Sequence, residues 1–270
     1  MLTSLDIALL SLVAFLIGTI AAMTGVGGGV FMVPFLSLVY SLDPHQAVGT
    51  SLATIIFTSL SSTVGYSRQR KIDYKVGLIL TLTAIPGAFV GAFLTNFVTP
   101  RNLGLIFGAF LIFVALRMIF QFNLYRFEIP KIGKSRRRKI TDSDGNIFEY
   151  DTNVNLGLIL SFFGGLASGL LGIGGGSVMV PVLHLILNFP MHITVATSMF
   201  IMIFTSISGA LTHFSFGNVR VDYAILLCIG VIFGAQLGAH FSKKISGENL
   251  RRIFGVVLFL VSIRMILEYV

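Results

Sequence analysis

The chain has 270 residues, of which 55% are hydrophobic and only 11% are charged, and its formal net charge is +8. Soluble domains carry about 25% charged residues, so this composition excludes a water-soluble globular protein. The basic residues lie between apolar segments, which favours a role in membrane orientation over nucleic-acid binding. At roughly 20 residues per membrane span, the chain has room for a bundle of helices and no sizeable soluble domain.

Apolar segments follow one another along the chain in two sets of five, separated by a polar linker. We predict a helix in each segment: Leu5–Met23, Val30–Leu42, Gln46–Tyr66, Val76–Val98 and Asn102–Phe122, then Val154–Leu171, Val178–Phe189, Ile193–Phe214, Tyr223–Phe241 and Asn249–Tyr269. As a helix, the second segment of each set is only about 20 Å long, which is short for a full span. It is therefore a half-helix, a re-entrant segment or a thin, tilted crossing.

The chain contains the same unit twice. The stretch from Gly25 to Leu38 returns 147 residues later, from Gly172 to Leu185, with nine of 14 positions identical. Farther on, Asn102 to Ile119 returns at the same offset as Asn249 to Ile266, with ten of 18 identical. A duplicated membrane unit whose helices are interrupted at glycine clusters is typical of secondary transporters. We predict an all-α polytopic membrane protein built from two repeats.

The distribution of basic residues predicts how the repeats are oriented. An odd number of crossings per repeat would invert the second repeat relative to the first. With five crossings per repeat, all 19 Lys and Arg except Arg101, Arg220 and Arg264 fall on one side, which the positive-inside rule makes cytoplasmic. We predict inverted-topology repeats in the cell (plasma) membrane with both termini outside. The predicted divisions are a first transmembrane repeat (1–122), a cytoplasmic basic linker (123–153) and a second transmembrane repeat (154–270).

The linker contains a basic run, Arg136–Lys139, and an Asp144-Gly145 pair flanked by apolar residues. The basic run either binds anionic lipid headgroups or serves only as a topology signal, which we prefer. An Asp-Gly pair between short apolar stretches predicts a β-hairpin. A lone hairpin is only marginally stable in water.

Two matched glycine clusters are the strongest candidate site. They comprise Gly25, Gly27, Gly28 and Gly29 in the first repeat and Gly172, Gly174, Gly175 and Gly176 in the second. Neither cluster is followed by Gly-Lys-Ser/Thr, and the third glycine of a dinucleotide motif would fall at Val30 and Ser177, so both nucleotide interpretations fail. Glycines leave backbone N–H groups unpaired, and a helix that begins beside them attracts anions. Close helix packing is the alternative interpretation.

Hydroxyl-bearing residues in the third segment of each repeat are the next candidates. Thr50 and Ser51 in the first repeat correspond to Thr197 and Ser198 in the second. A hydroxyl can donate to an oxyanion without bringing a charge into the membrane, so we list these four as candidate substrate contacts. They would equally serve as hydrogen-bonding links between helices.

No Asp, Glu or Lys lies deep within a predicted span, which argues against a cation pathway. If transport is coupled to protons, histidine is the natural carrier at neutral pH. The candidates for coupling or gating are His45, His184, His192 and His213, although structural histidines are more common. The sequence contains one cysteine, Cys228, and no cluster that would hold a metal or a catalytic set, so we predict no cofactor, no metal and no enzyme activity.

These motifs resemble those of the TauE/SafE family of membrane proteins, often called sulfite exporters. The resemblance covers nearly the whole chain except the linker. It rests on the two halves, on G-[VI]-G-G-G-x-x-M-V-P at Gly25–Pro34 and Gly172–Pro181, and on the strings at Ala47–Ser51 and Val195–Ser198. The second string has Ala196 where the first has Gly49. The resemblance implies transport of a small, often sulfur-containing anion such as sulfite, a sulfonate or sulfoacetate.

The sequence therefore predicts a transporter of a small anion, a sulfur oxyanion or organosulfonate, that works by alternating access between inverted repeats in the lipid bilayer. The alternatives are an anion channel and a transporter of an unrelated small organic anion. A membrane-embedded enzyme would need a nucleophile with its base or a metal set, and a scaffold would have no substrate. Import and export, uniport and proton coupling, monomer and homo-oligomer all stay open at this point.

Overall fold

The computed structural model describes residues 4–120, 136–242 and 248–270, and within them it contains ten helices and one two-stranded hairpin. The helices are α1 Ser4–Thr24, α2 Gly29–Val39, α3 Pro44–Arg68, α4 Tyr74–Thr95, α5 Pro100–Phe120, α6 Val154–Leu171, α7 Gly176–Pro181, α8 Met191–Ser215, α9 Val221–Phe241 and α10 Glu248–Tyr269. Among the described residues, α1, α3, α4, α6, α8 and α9 are long and apolar enough to cross a membrane. The prediction of an all-α polytopic membrane protein is confirmed.

Nine of the ten predicted segments each correspond to one helix of similar bounds, whereas the segment predicted as Val178–Phe189 forms the short helix α7 and a π-helical turn. The end of the fifth segment at 121–122, the first part of the linker at 123–135, and the basic pair Lys243 and Lys244 lie outside the described residues. The two short segments differ from each other. Helix α2 continues through Pro34, whereas α7 ends at Pro181 and is followed by a π-helical turn, Val182–Ile186.

Side-chain caps fix where several helices begin. Asp43 accepts a hydrogen bond from the N–H of His45 at the start of α3, where Pro44 occupies the first helical position. Asp73 accepts from the N–H of Val76 (3.1 Å) at the start of α4, and Asn153 caps α6. These caps satisfy N–H groups that have no partner inside the helix, and proline at the first position loses no hydrogen bond.

Two pairs of helices run parallel and pack closely across the boundary between the repeats. In the pair of α4 and α6, Gly87 lies against Phe162 and Gly91 against Leu166, so residue numbers rise together along both helices. In the pair of α1 and α9, Gly230 and Gly238 lie against α1 in the same parallel sense. Close approach of this kind depends on small residues at the contact. The two pairs correspond to each other under the repeat.

Two further pairs, α3 with α8 and α5 with α10, join a helix to its own counterpart, and they are antiparallel. Gly49 of α3 lies against His213 near the end of α8, while Gly209 lies against Leu52. Likewise, Gly104 of α5 lies against Tyr269, almost at the end of α10. Helices that correspond under the repeat run antiparallel, and the parallel pair α4–α6 corresponds to the parallel pair α9–α1. A twofold axis perpendicular to the helices would produce this pattern. Helices α3 and α8 lie at the centre and carry most of the buried polar side chains.

The predicted hairpin is confirmed. Strand β1 (Arg136–Thr141) pairs antiparallel with β2 (Ile147–Thr152), which places Arg138 opposite Tyr150. One face of the hairpin packs on the core of helices, where the ring of Tyr150 lies 4.5 Å from that of Phe189. On the other face, Glu149 pairs with Arg137 at 2.7 Å and with Lys139 at 3.5 Å. The carboxylate of Glu149 therefore offsets one of the four positive charges of the basic run, whose interpretation as a topology signal stays a prediction.

Candidate functional site

The two glycine clusters meet between α3 and α8. We call Gly25–Gly28 loop 1 and Gly172–Gly175 loop 2; each connects a long helix to the short helix that follows it. The Cα of Gly29 lies directly against the carbonyl oxygen of Gly172, and the Cα of Gly176 lies directly against that of Gly25. All eight glycines named from the sequence thus belong to one structural unit. The loops cross with almost no space between their backbones.

Both loops have the same unusual backbone conformation. In loop 1, φ is +76° at Gly25, +91° at Gly27 and +84° at Gly28. In loop 2, the matching values are +70°, +72° and +85°. Residues with a side chain rarely adopt this left-handed region. The spacing G-x-G-G therefore marks the positions where the chain must reverse direction and begin a new helix.

Hydroxyl groups hold the carbonyl oxygens of both loops. Ser51 in α3 donates to the carbonyl of Gly172 at 2.8 Å, and its counterpart Ser198 in α8 donates to that of Gly25 at 3.1 Å. Each serine therefore holds the loop of the opposite repeat. Thr205 also donates to the carbonyl of Gly174 at 3.0 Å. These three carbonyl oxygens, which carry the negative ends of the peptide dipoles, therefore have hydrogen-bond partners within the protein.

The amide hydrogens at the starts of the short helices are left without such partners. In the described part of the chain, the N–H groups of Gly29 and Val30, and those of Gly176 and Ser177, make no hydrogen bond. All four residues are buried or nearly so. Free N–H groups at a helix start carry partial positive charge. Hydroxyl groups occupy the carbonyls of Gly25, Gly172 and Gly174, so the free N–H groups at the two helix starts are donors still available to a ligand.

Two apolar side chains fill the space beside the crossing. Met202 of α8 lies against Gly27 and Gly176, and its counterpart in the repeat, Ile55 of α3, lies against Gly29 and Gly174. Both side chains are almost completely buried. The structure therefore describes a closed conformation around the loops.

The four predicted hydroxyl residues divide into two groups. Ser51 and Ser198 touch the glycine loops, as described above. The hydroxyl of Thr50 instead accepts the backbone N–H of Arg220 at 3.0 Å, and that of Thr197 accepts the N–H of Asp73 at 3.1 Å. These two threonines tie α3 and α8 to the residues that precede α9 and α4. Neighbouring residues on a helix point in directions about 100° apart, so Thr50 and Ser51 face different parts of the protein. The sequence alone does not say which of the two faces the loops.

The four histidines lie at the ends of elements or in the π-helical turn. His213 is fully buried in the last turn of α8, and its Nε2 lies 3.0 Å from the carbonyl of Gly169. Tyr66, at the equivalent position, donates to the carbonyl of Ala22. His184 lies in the π-helical turn with Nδ1 2.8 Å from the carbonyl of Phe189, and His192 is exposed in the first turn of α8.

His45 joins the start of α3 to the end of α4. Its Nδ1 lies 2.9 Å from a carboxylate oxygen of Asp43. Its Nε2 lies 3.1 Å from the carbonyl of Thr95 and 3.0 Å from that of Val98. These contacts give His45 a structural part at the start of α3.

A buried ionic cluster that sequence reasoning missed lies at the opposite end of α4. Asp73 is 1% exposed and accepts two hydrogen bonds from Arg138 of the hairpin (2.9 and 2.7 Å) and one from the hydroxyl of Tyr150 (2.7 Å). Burial alone would raise the pKa of Asp73, but the bonds from Arg138, Tyr150 and the N–H of Val76 outweigh it and hold that pKa below its usual range. The cluster fixes the hairpin against the helices.

Comparison with known proteins identifies the family. A family model described as "Sulfite exporter TauE/SafE" matches residues 10–265. The chain belongs to the TauE/SafE family. It is 35% identical to the probable membrane transporter protein YunE of Bacillus subtilis over 98% of both chains. It is 33% identical to YdhB of the same organism, over 87% of this chain and 90% of YdhB.

A more distant relative is a probable membrane transporter protein of Methanocaldococcus jannaschii, 27% identical over 96% of this chain and 95% of the relative. No solved structure matches the chain. The TauE/SafE family and these relatives are membrane transporters rather than enzymes. The general prediction of a membrane-embedded transporter is therefore confirmed.

Proposed function

We propose that this TauE/SafE protein carries a small anion, a sulfur oxyanion or organosulfonate, across the cell membrane, and that the crossing of loops 1 and 2 binds it. One observation carries the proposal: both short helices begin at the crossing with free N–H groups, while Ser51, Ser198 and Thr205 occupy loop carbonyls. Free N–H donors at both helix starts, beside loops that carry no charged side chain, favour an anion over a cation. In a low-dielectric interior, their attraction for negative charge is much stronger than in water.

The sulfur-containing substrate class comes from the description of the family, whereas the sign of the charge comes from the site. Within that class, the shape of the opened site determines which anion is transported. The alternative function is an anion channel. A channel would use the same donors but would conduct anions without alternating access between the two faces of the membrane. Saturable flux and counterflow support the transporter, and ohmic current without counterflow supports the channel.

Alternating access follows from the arrangement of the repeats. Antiparallel counterparts such as α3 and α8 are what inverted repeats in a membrane require. In the closed conformation, Ile55 and Met202 lie on the two sides of the crossing, one from each repeat. We assign them as the side chains that withdraw in turn when either repeat moves. Because this pair is related by the repeat, the same movement opens each face of the membrane.

The predicted substrate contacts take different roles in this proposal. Ser51 and Ser198 act as positioning residues, because their hydroxyls hold the loop carbonyls away from the anion. Thr50 and Thr197 position Arg220 and Asp73, the residues that immediately precede α9 and α4. The glycine loops contain no titratable side chain, so any proton coupling would have to involve the histidines at the helix ends.

Transport is expected to fail when a side chain is added to loop 1 or loop 2 at a position of positive φ. Gly28→Val and Gly175→Val should reduce uptake of sulfite or sulfoacetate into proteoliposomes by at least roughly tenfold, because valine is strained at φ near +85° and would displace the free N–H groups. Gly217→Val is the matched control: φ is +73°, and a Cβ there meets nothing within 4 Å. Wild-type uptake in both loop variants would contradict the proposal.

The orientation of the repeats is tested by labelling single cysteines in a Cys228→Ser background. Arg70→Cys and Lys139→Cys are expected to react only from the cytoplasm. Arg101→Cys and Phe216→Cys are expected to react only from outside, since all four side chains are exposed. Positions 70 and 216 lie in equivalent loops of the two repeats, so reaction of both from the same face would rule out the proposed inversion.

A further inference from the structure

Three buried hydroxyls around loop 2 have no hydrogen-bond partner among the described residues. They belong to Ser168 in α6, Ser177 in α7 and Ser206 in α8, and these residues are 0%, 9% and 0% exposed. The Oγ of Ser206 lies 3.4 Å from the position that a Cβ on Gly174 would take, and the Cβ of Ser168 lies 3.4 Å from that on Gly175. Ser206 and Ser168 therefore both border the turn at Gly174 and Gly175, and Ser177 follows that turn by two residues in the chain.

Unpaired hydroxyls are unusual in the helices of this protein. Helical Ser and Thr normally donate to a carbonyl one turn back, as Thr54 does to Thr50 (2.9 Å) and Ser62 does to Thr58 (2.7 Å). A buried hydroxyl that makes no hydrogen bond lowers stability. Two such groups beside one glycine turn, in a membrane protein, indicate that a ligand supplies the missing acceptor in another state of the transport cycle.

The first repeat lacks these groups. The counterparts of Ser168 and Ser177 are Ala21 and Val30, which have no hydroxyl. The counterpart of Ser206 is Ser59, whose hydroxyl is already bonded to the carbonyl of Ile56 at 3.0 Å. The two loops thus share a backbone conformation but differ in the donors around them.

The seam between α6 and α8 brings Ser168 and Ser206 to the same side of loop 2. Gly169 lies against Gly209, with 3.6 Å between the Cα of Gly169 and the position of a Cβ on Gly209. Ser168 precedes this contact by one residue, and Ser206 lies one turn before it on α8. Close approach of the helix backbones holds both side chains near the turn.

We propose that the anion is recognised asymmetrically, by the second repeat, with Ser168 and Ser206 donating hydrogen bonds to its oxygens and Ser177 adding a third donor. This inference rests on the proposed function and adds its substrate chemistry. Three hydroxyl donors around one turn fit an oxyanion with at least two acceptor oxygens on one centre, such as sulfite or a sulfonate group. A halide would have only one acceptor centre to share among them. Loop 1 then forms the opposite wall and contributes shape more than specificity.

The experiment compares Ser168→Ala and Ser206→Ala with the matched control Ser59→Ala, using purified protein and sulfite, sulfoacetate and chloride as probes. Both test variants are expected to keep or raise the Tm without anion, because they remove an unpaired buried group. They should also raise the KM for sulfite uptake, and the sulfite concentration that gives half of the thermal shift, about tenfold or more, since each loses a hydrogen bond to a charged ligand. Ser59→Ala should leave the KM unchanged.

The outcomes separate this inference from the proposed function. If the wild-type protein transports sulfite or sulfoacetate and both test variants have its KM, the serines are not donors and the asymmetric site is wrong, while the anion transporter stands. A lower Tm together with an unchanged KM would also assign the hydroxyls a purely structural role. If the wild-type protein neither binds nor transports any oxyanion probe, the proposed function fails, and this inference fails with it.

Discussion

Gly29→Ala and Gly176→Ala are each expected to abolish transport and to prevent most of the protein from folding. Neither residue has a positive φ, so alanine would fit the backbone conformation. The added Cβ would instead overlap the carbonyl of Gly172 or of Gly25, which is backbone and cannot rotate away. Overpacking a core costs roughly 1–3 kcal/mol when side chains can adjust, and a clash with backbone should exceed that range.

Neither loop can retreat, because each is held from the other repeat. Moving the carbonyl of Gly172 would break its bond from Ser51, and moving that of Gly25 would break its bond from Ser198. The measurement is the monodisperse fraction and Tm of the solubilised protein, followed by sulfite uptake. Gly157→Ala is the control, since the nearest atoms to its Cβ would be the methyl ends of the Leu80 and Leu187 side chains. Normal folding of Gly29→Ala would contradict the close crossing of the loops.

Much of the fold could be predicted from the sequence because its determinants are local. Apolar runs of about 20 residues define membrane helices, and Pro44 and Asp43 mark the start of α3 one after the other. The glycine clusters were recognisable because they occur twice, and repetition excludes a chance motif. Their positive φ follows from the residue type itself.

The candidate site could be predicted only in part, because its contacts join residues that lie far apart in the chain. Ser51 bonds to Gly172, 121 residues away, and its neighbour Thr50 bonds to the N–H of Arg220, 170 residues away. Helical spacing predicts that a hydroxyl is buried but does not say which carbonyl it meets. The sequence did not single out Ser168, because its counterpart in the first repeat is Ala21 and the comparison of the repeats finds no matching hydroxyl.

The π-helical turn also escaped prediction, for a different reason. Ten residues separate Pro34 from Pro44 in the first repeat, and ten separate Pro181 from Met191 in the second, so length carries no signal. The same number of residues forms a regular helix end in one repeat and a π-helical turn in the other. Short π-helical segments often lie at functional sites. Here the turn makes the two short helices different, and it belongs to the second repeat, as do Ser168, Ser177 and Ser206.

Arg138→Leu is expected to destabilise the protein strongly, although it changes one residue of a surface hairpin. The substitution would leave the carboxylate of Asp73 buried with only the hydroxyl of Tyr150 and the N–H of Val76 as donors. Removing one partner of a buried ion pair typically costs roughly 3–5 kcal/mol. The side chain of Arg138 is 25% exposed, which favours the lower end of that range. We expect the Tm to fall by roughly 5–10 °C.

A double substitution and a pH series distinguish this ion pair from simple packing. Asp73→Asn/Arg138→Leu removes both charges, so it should be more stable than Arg138→Leu alone; equal or lower stability would contradict the buried-charge argument. Because the pKa of Asp73 is lowered in the folded protein, its contribution is present above its unfolded pKa near 4 and is lost as the pH falls below that value. Burial and the bond to Asp73 raise the pKa of Tyr150, so its contribution is present below about pH 10 and is lost at higher pH. The wild-type Tm should therefore form a plateau between these limits, and Arg138→Leu should lower the whole plateau.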